Sequence, residues 1–169
     1  MFMTRRWKAF LVALLLGGAG SHVESGEKKP ADTIVFVCEH GSVKSLIAMQ
    51  WFNKRAQERG LRQRAVSRGV TPDASVPQGI VGKLREDGFA VESFTPARLS
   101  TADLPTTERI IFIGTDVVSV TKGSRVKIDE WNDIPPASED YAASRAAILR
   151  RIDMLLTELE KGRNRAEPI

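Results

Sequence analysis

Apolar and polar positions fall into blocks along the chain, and block length separates strands from helices. "TIVFVC" (33–38) is a short β-branched and aromatic run, as in a strand buried on both faces. "SLIAMQWFNKRAQERG" (45–60) crowds Leu46, Ile47, Met49, Trp51 and Phe52 into its first half and charges into its second, which predicts a helix stopped by Gly60. "RQRAVS" (62–67) predicts a second strand, ended by Gly69 and Pro72. "SVPQGIVGKLREDG" (75–88) predicts a helix with Pro77 near its first turn and Gly88 as terminator, weakened by Gly79 and Gly82.

"FAVESF" (89–94) leads into "TPARLSTADLPTTE", a loop with one short turn. "RIIFIGTD" (109–116) predicts a core strand and "RVKID" (125–129) a weaker one at the sheet edge. The longest helix is predicted over 137–162, capped by Ser138 with Glu139 and Asp140 in its first turn. Along it Tyr141, Ile148, Ile152, Leu155 and Leu159 recur at three, four or seven residues. Strands alternating with helices predict an α/β fold, a parallel sheet with helices on both faces. Ligands of such sheets bind beyond the carboxyl ends of the strands.

The first twenty residues stand apart from this pattern. They combine a basic start (Arg5, Arg6, Lys8), an apolar stretch from Ala9 to Leu16 and then small residues, the layout of a secretory signal peptide. The stretch is well short of the ~20 residues that span a bilayer. The expected organisation is a signal peptide over 1–20, a polar linker over 21–31, one domain over 32–162 and a tail over 163–169. Cleavage is expected near Gly20-Ser21. The mature protein is then periplasmic or secreted with no stable membrane insertion; an uncleaved anchor is the other reading.

That segment also changes the charge picture. The full chain carries 25 basic and 21 acidic residues. Three of the basic ones and none of the acidic ones lie in positions 1–20, so the remainder has 22 against 21, a net charge of +1. No basic block is interleaved with aromatics, and a nucleic-acid partner is not expected. Cys38 is the only cysteine among the 169 residues, so no disulfide can form within them. His22, His40 and Cys38 have no metal-ligand spacing, and no metal or organic cofactor is expected.

Chemistry concentrates where the first strand ends. Cys38 is followed by "EHGSV" and then by Lys44-Ser45 at the start of a helical pattern. A short loop containing Gly41 can curl with successive N–H groups facing inward, and the helix behind it adds its own free N–H groups and the positive end of its dipole. Such a cup suits a phosphate dianion, and its field favours a thiolate at Cys38. Glu39, His40, Gly41, Ser42, Val43, Lys44 and Ser45 would line it. Lys44 adds a full charge at the rim, and Ser45 serves either as helix cap or as donor to sulfur. Cup and nucleophile together point to thiolate attack on a phosphate ester, giving a phosphocysteine that water hydrolyses. A nucleotide-binding P-loop is excluded, since Val43 stands where a glycine must precede the lysine and only Gly41 is present.

Cys38 to Ser45 resembles the phosphate-binding loop of the low-molecular-weight protein tyrosine phosphatases, Cys-x5-Arg-Ser between first strand and first helix. The likeness extends through "AVSRGV", "LREDGFAVESFTPARLSTADL", "ERIIFIGTD" and the last helix, most of residues 33–160. It implies a three-layer α/β/α fold with a four-stranded, mostly parallel central sheet, and a phosphorylated small molecule or phosphoprotein as substrate. The thioredoxin-coupled arsenate reductases share the fold and a similar loop. Their relay needs additional cysteines, so arsenate reduction here would require an external thiol.

Two departures from the family pattern stand out. Lys44 replaces the loop arginine, offering a point charge in place of a planar fork. Losing one charge-assisted hydrogen bond costs about 1.5–3 kcal/mol, on the order of ten- to a hundredfold in transition-state binding. In "WNDIPPA" (131–137), the segment similar to the one carrying the family's Asp-Pro acid, Pro135 takes the acid's place. Asp133 is the nearest substitute and Asp129 the next. Trp131 is either pocket wall or core. A binding domain that keeps the cup without the chemistry is the alternative to an enzyme.

Overall fold

The structure, a computed structural model, describes residues 32–166. The signal peptide (1–20) and the linker (21–31) expected from the sequence lie outside the described residues. Four strands form the sheet: β1 (Thr33–Cys38), β2 (Arg64–Gly69), β3 (Thr107–Ile113) and β4 (Lys127–Trp131). Their order is β2-β1-β3-β4, and every neighbouring pair is parallel. Three helices accompany them, α1 (Lys44–Glu58), α2 (Gln78–Glu86) and α3 (Tyr141–Ala166).

The pleat divides the core in two. Ile34 and Phe36 of β1 face a cluster with Leu46, Phe52, Ile148 and Ile152 of α1 and α3, which Val81 and Leu84 of α2 also join. Val35 and Val37 point the other way, onto Leu99, Ile110 and Phe112. That second face is closed by short 3-10 turns at Thr101–Thr106 and Ser119–Thr121 with their flanking loops. The sheet is thus covered on both faces as the alternation predicts, by the three α-helices on one and by the 3-10 turns on the other. No described helix is long and apolar enough to cross a membrane.

Several boundaries move for identifiable reasons. β2 begins two residues later than predicted and runs to Gly69, because its register is set by β1, with Thr33 opposite Arg64 and Cys38 opposite Gly69. α1 ends as expected: Gly60 takes φ +63° and Leu61 N–H closes onto the Ala56 carbonyl. α3 starts at Tyr141, not 137, and continues past 162 into the expected tail. Its cap is Asp140 in place of Ser138: the Asp140 carboxylate accepts Ala143 N–H at 2.9 Å, and the N–H groups of Glu139 and Asp140 close a turn onto Pro136.

β4 is tied to α3 by charge. Buried Arg109 of β3 donates to Asp129 at 3.0 Å and to both oxygens of Glu158 at 3.0 and 2.8 Å, and Lys127 donates to Glu158 at 2.9 Å. Trp131 is core, with its ring centre 5.5 Å from that of Phe36.

Candidate active site

The loop between β1 and α1 takes its shape from the segment after β2. Val70, Thr71 and Asp73 donate backbone N–H groups to the carbonyls of Cys38 (3.2 Å), Glu39 (2.8 Å) and His40 (3.1 Å). The Gly41 carbonyl accepts from Ser67 Oγ at 3.0 Å. In a trans peptide the N–H opposes the C=O of the same unit, and there is no cis bond among the described residues. Four carbonyls drawn toward β2 and its following segment therefore turn the N–H groups of Glu39, His40, Gly41 and Ser42 to the opposite side. No protein acceptor meets any backbone N–H from Glu39 through Leu46 among the described residues. Eight consecutive free donors at the start of a helix make an anion cup.

Two glycines let the loop lie this close to β2. Gly41 takes φ +65°, and a Cβ there would stand 2.8 Å from Gly69 N. A Cβ on Gly69 would stand 2.9 Å from Gly41 N and from the His40 carbonyl carbon.

Cys38 is buried, 4 % exposed, at the floor of this loop. Its Sγ lies 3.0 Å from Ser45 Oγ, and Ser45 Oγ lies 2.8 Å from Ser67 Oγ. Of the two roles open to Ser45, the structure supports the bond to sulfur: the N-cap of α1 is Val43, with no side-chain cap bond. Each hydroxyl has one hydrogen, so the chain can run in only two directions. With a protonated thiol, S–H donates to Ser45, Ser45 to Ser67 and Ser67 to the Gly41 carbonyl. With a thiolate the order reverses: Ser67 donates to Ser45 and Ser45 to sulfur, and the Gly41 carbonyl loses its donor.

Charged groups stand around the rim. Lys44 is half-buried, and its ammonium rests against Gly114 at the end of β3, where φ is +57° and any Cβ would collide with Nζ. It has no hydrogen-bond or ion-pair partner among the described residues. Glu39 reaches the same loop, accepting from Thr115 Oγ1 at 3.1 Å. His40 turns its Nδ1 to the Thr71 carbonyl at 3.2 Å, with Asp73 at 3.5 Å. Ser42 is buried and donates to Asp73 at 2.5 Å. Val43 packs against the core beneath the helix start.

Both expected acids are paired with arginines. Asp133 follows β4 at the carboxyl end of the sheet, but its carboxylate is held by Arg151 of α3, at 2.8 Å from Nη2 and 3.2 Å from Nε. That hydrogen bond lowers its pKa below the ordinary 3.8, the opposite of the upward shift that suits a general acid. Asp129 lies within β4 and pairs with Arg109.

Ser67, Asp73, Thr71 and Gly114 enter the site without having been singled out in the sequence. One signal was present for Ser67: Ala65, Ser67 and Gly69 alternate on one side of β2, and all three are buried. A serine among inward positions needs a polar partner. The others depend on contacts between segments far apart in sequence.

A parallel α/β sheet whose first strand delivers a thiol into a ring of free amides defines a class of cysteine-based phosphatases and reductases. Within it, the chain belongs to the low molecular weight phosphotyrosine protein phosphatase family, which it matches over residues 33–128, more than half its length. The match ends before the segment holding Asp129 and Asp133. No match is found among curated proteins. Among solved structures, the chain is similar to an arsenate reductase from Archaeoglobus fulgidus, with 25% identity and a TM-score of 0.60 over 73% of this chain and 98% of that one. It shares its fold with a low molecular weight protein tyrosine phosphatase from Bacillus subtilis, with 17% identity and a TM-score of 0.63 over 78% and 99%. It also shares it with the arginine phosphatase YwlE, from the same organism, with 17% identity and a TM-score of 0.68 over 78% and 98%.

Proposed function

We propose that the protein is an exported phosphomonoester hydrolase acting through a phosphocysteine. The observation that carries this is Cys38 Sγ, bonded to a hydroxyl at 3.0 Å, at the floor of eight consecutive unpaired N–H groups. The amides of residues 39–46 hold the three non-bridging oxygens of a phosphate ester, and Lys44 adds charge at the rim. The thiolate attacks phosphorus along the line of the departing oxygen, with Ser45 steadying the sulfur before attack and after its release. Water then cleaves the S–P bond. Export is supported by the three-part layout of residues 1–20, and the amino-terminal sequence of the secreted chain tests it.

The test of catalysis is hydrolysis of an aryl phosphate by the purified chain and by Cys38→Ser. Loss of turnover with trapping of phosphate on the wild-type enzyme supports the proposal; equal background rates overturn it.

A second reading is an oxyanion- or phosphopeptide-binding domain without turnover. Two observations favour it, the lysine in place of arginine and the pairing of Asp133 with Arg151. Calorimetric binding of phosphate or arsenate without hydrolysis selects it. Arsenate reduction with an external thiol is a third, supported by the likeness to the Archaeoglobus protein. Arsenate-dependent oxidation of an added thiol would detect it.

A further inference from the structure

We propose that the corner formed by Gly114 and Thr115 after β3 keeps the Lys44 charge free for a bound anion. Gly114 leaves the space in which the ammonium sits, and Thr115 holds the neighbouring carboxylate of Glu39 away from it. Both are positioning residues that act through Lys44. The proposal rests on the anion-cup reading of the loop, whether that cup belongs to an enzyme or to a binding domain.

The corner lies on the amide side of the loop. The carbonyls of residues 38–41 point to β2 and the segment after it, so the N–H groups of Glu39 to Ser42 face the other way. In the order β2-β1-β3-β4, the strand on that other side of β1 is β3. Val37 pairs with Phe112, so the chain after Cys38 and the chain after Ile113 leave the sheet side by side, about 4.8 Å apart at strand spacing. Gly114 N–H donates to the Trp131 carbonyl of β4 at 3.1 Å, which fixes the corner to the sheet before any ligand binds.

The space at Gly114 is taken by one group. A Cβ there would collide with Lys44 Nζ and stand 3.7 Å from Lys44 Cε, and apart from its chain neighbours it would meet nothing else within 4 Å among the described residues. A side chain at 114 therefore displaces the ammonium and little besides. Lys44 is half-buried in this seat with no partner among the described residues. Its three N–H donors stay open to an anion held by the amides.

Glu39 is the competitor for that charge. Its carboxylate reaches the next residue of the same corner, where Thr115 Oγ1 donates to Oε2 at 3.1 Å. Opposite charges thus rest on adjacent residues, yet no ion pair joins Glu39 to Lys44 among the described residues. The hydroxyl gives the carboxylate another partner. Without it Glu39 is free to swing onto the ammonium, and a paired lysine must give up that pair before it meets a phosphate.

The test measures protection of Cys38 from iodoacetamide by inorganic phosphate, in two double-mutant cycles. Gly114→Ala in the wild-type background is expected to raise the phosphate needed for half protection by about ten- to a hundredfold, the loss of one charge-assisted hydrogen bond. In the Lys44→Met background, whose side chain ends where Lys44 has Cε, the same change is expected to cost less than about twofold. Backbone strain of alanine at φ +57° is present in both backgrounds and cancels. Gly114→Asn, better suited to that left-handed conformation, carries the same expectation as a second variant. Thr115→Val is expected to raise the requirement by about three- to fivefold, the strength of an exposed ion pair, and by less than about twofold in the Glu39→Gln background. Equal losses from the Gly114 variants with and without Lys44, or from Thr115→Val with and without Glu39, overturn the role of the corner and leave the cup standing. Absence of phosphate protection in the wild type overturns the cup itself, and the role of the corner with it.

Discussion

Gly41 and Gly69 lie so close that neither has room for a side chain: a Cβ on the first stands 2.8 Å from the backbone of the second, and a Cβ on the second 2.9 Å from the backbone of the first. Both collisions are with main chain, which cannot swing aside. Gly69→Ala therefore tests the brace without touching any side chain of the site. Forcing one methyl into such a space costs about 1–3 kcal/mol. For a domain of this size the melting temperature falls by about 2–4 °C per kcal/mol. Phosphate binding, measured by calorimetry, is expected to weaken more than stability does, because the loop must move to make room.

Removing the hydroxyl at Ser45 takes away the partner of sulfur. A hydrogen bond to a charged group contributes about 1.5–3 kcal/mol, so Ser45→Ala is expected to slow alkylation of Cys38 by iodoacetamide at neutral pH by about ten- to a hundredfold. Ser67→Ala acts one bond further away, through Ser45, and is expected to have the smaller effect. Unchanged alkylation rates in both would show that the hydroxyl chain does not reach the sulfur.

Lys44 is a cation at the rim with no partner among the described residues. Lys44→Met keeps most of the side chain that packs toward Gly114 and removes the charge. Phosphate protection of Cys38 against alkylation is expected to require about ten- to a hundredfold more phosphate, the equivalent of one charge-assisted hydrogen bond. Equal protection curves would confine anion binding to the amides.

Acid stability is expected to depend on Glu158. Its hydrogen bond from Arg109, with a second from Lys127, lowers its pKa from the ordinary 4.5 to about 2. A carboxylate depressed in the folded state adds stability that is fully present above the unfolded value, near pH 4.5, and is lost as pH falls toward about 2. The side chain is 54% exposed, and solvent screening keeps the contribution modest. In urea melts between pH 5 and pH 2, Glu158→Gln is expected to show a shallower fall in stability than wild type. Parallel pH profiles would remove the ion pair from the account of acid unfolding.

The sequence predicts β1 residue for residue, because six β-branched, aromatic and small apolar positions admit little else. It also locates the cup, since a cysteine, a glycine and a lysine–serine pair leave few alternatives within eight residues. β2 is displaced because its limits follow pairing with β1, a long-range contact that composition does not encode. Asp133 is at the expected end of the sheet, yet the direction of its carboxylate is decided by Arg151, eighteen residues along the chain on another element. Periodicity reports which face a residue occupies and is silent on its polar partner. Ser67, Asp73 and Gly114 are absent from the sequence-level account for that reason.

The carbonyls tied to Val70, Thr71 and Asp73 carry one more implication. The mould for the ligand is cast when the sheet assembles, before any solute arrives, so no loop has to be ordered on capture. Discrimination then falls to geometry. Tetrahedral ions find oxygens where the amides already aim, whereas flat ions such as acetate or nitrate leave most of those donors facing empty space.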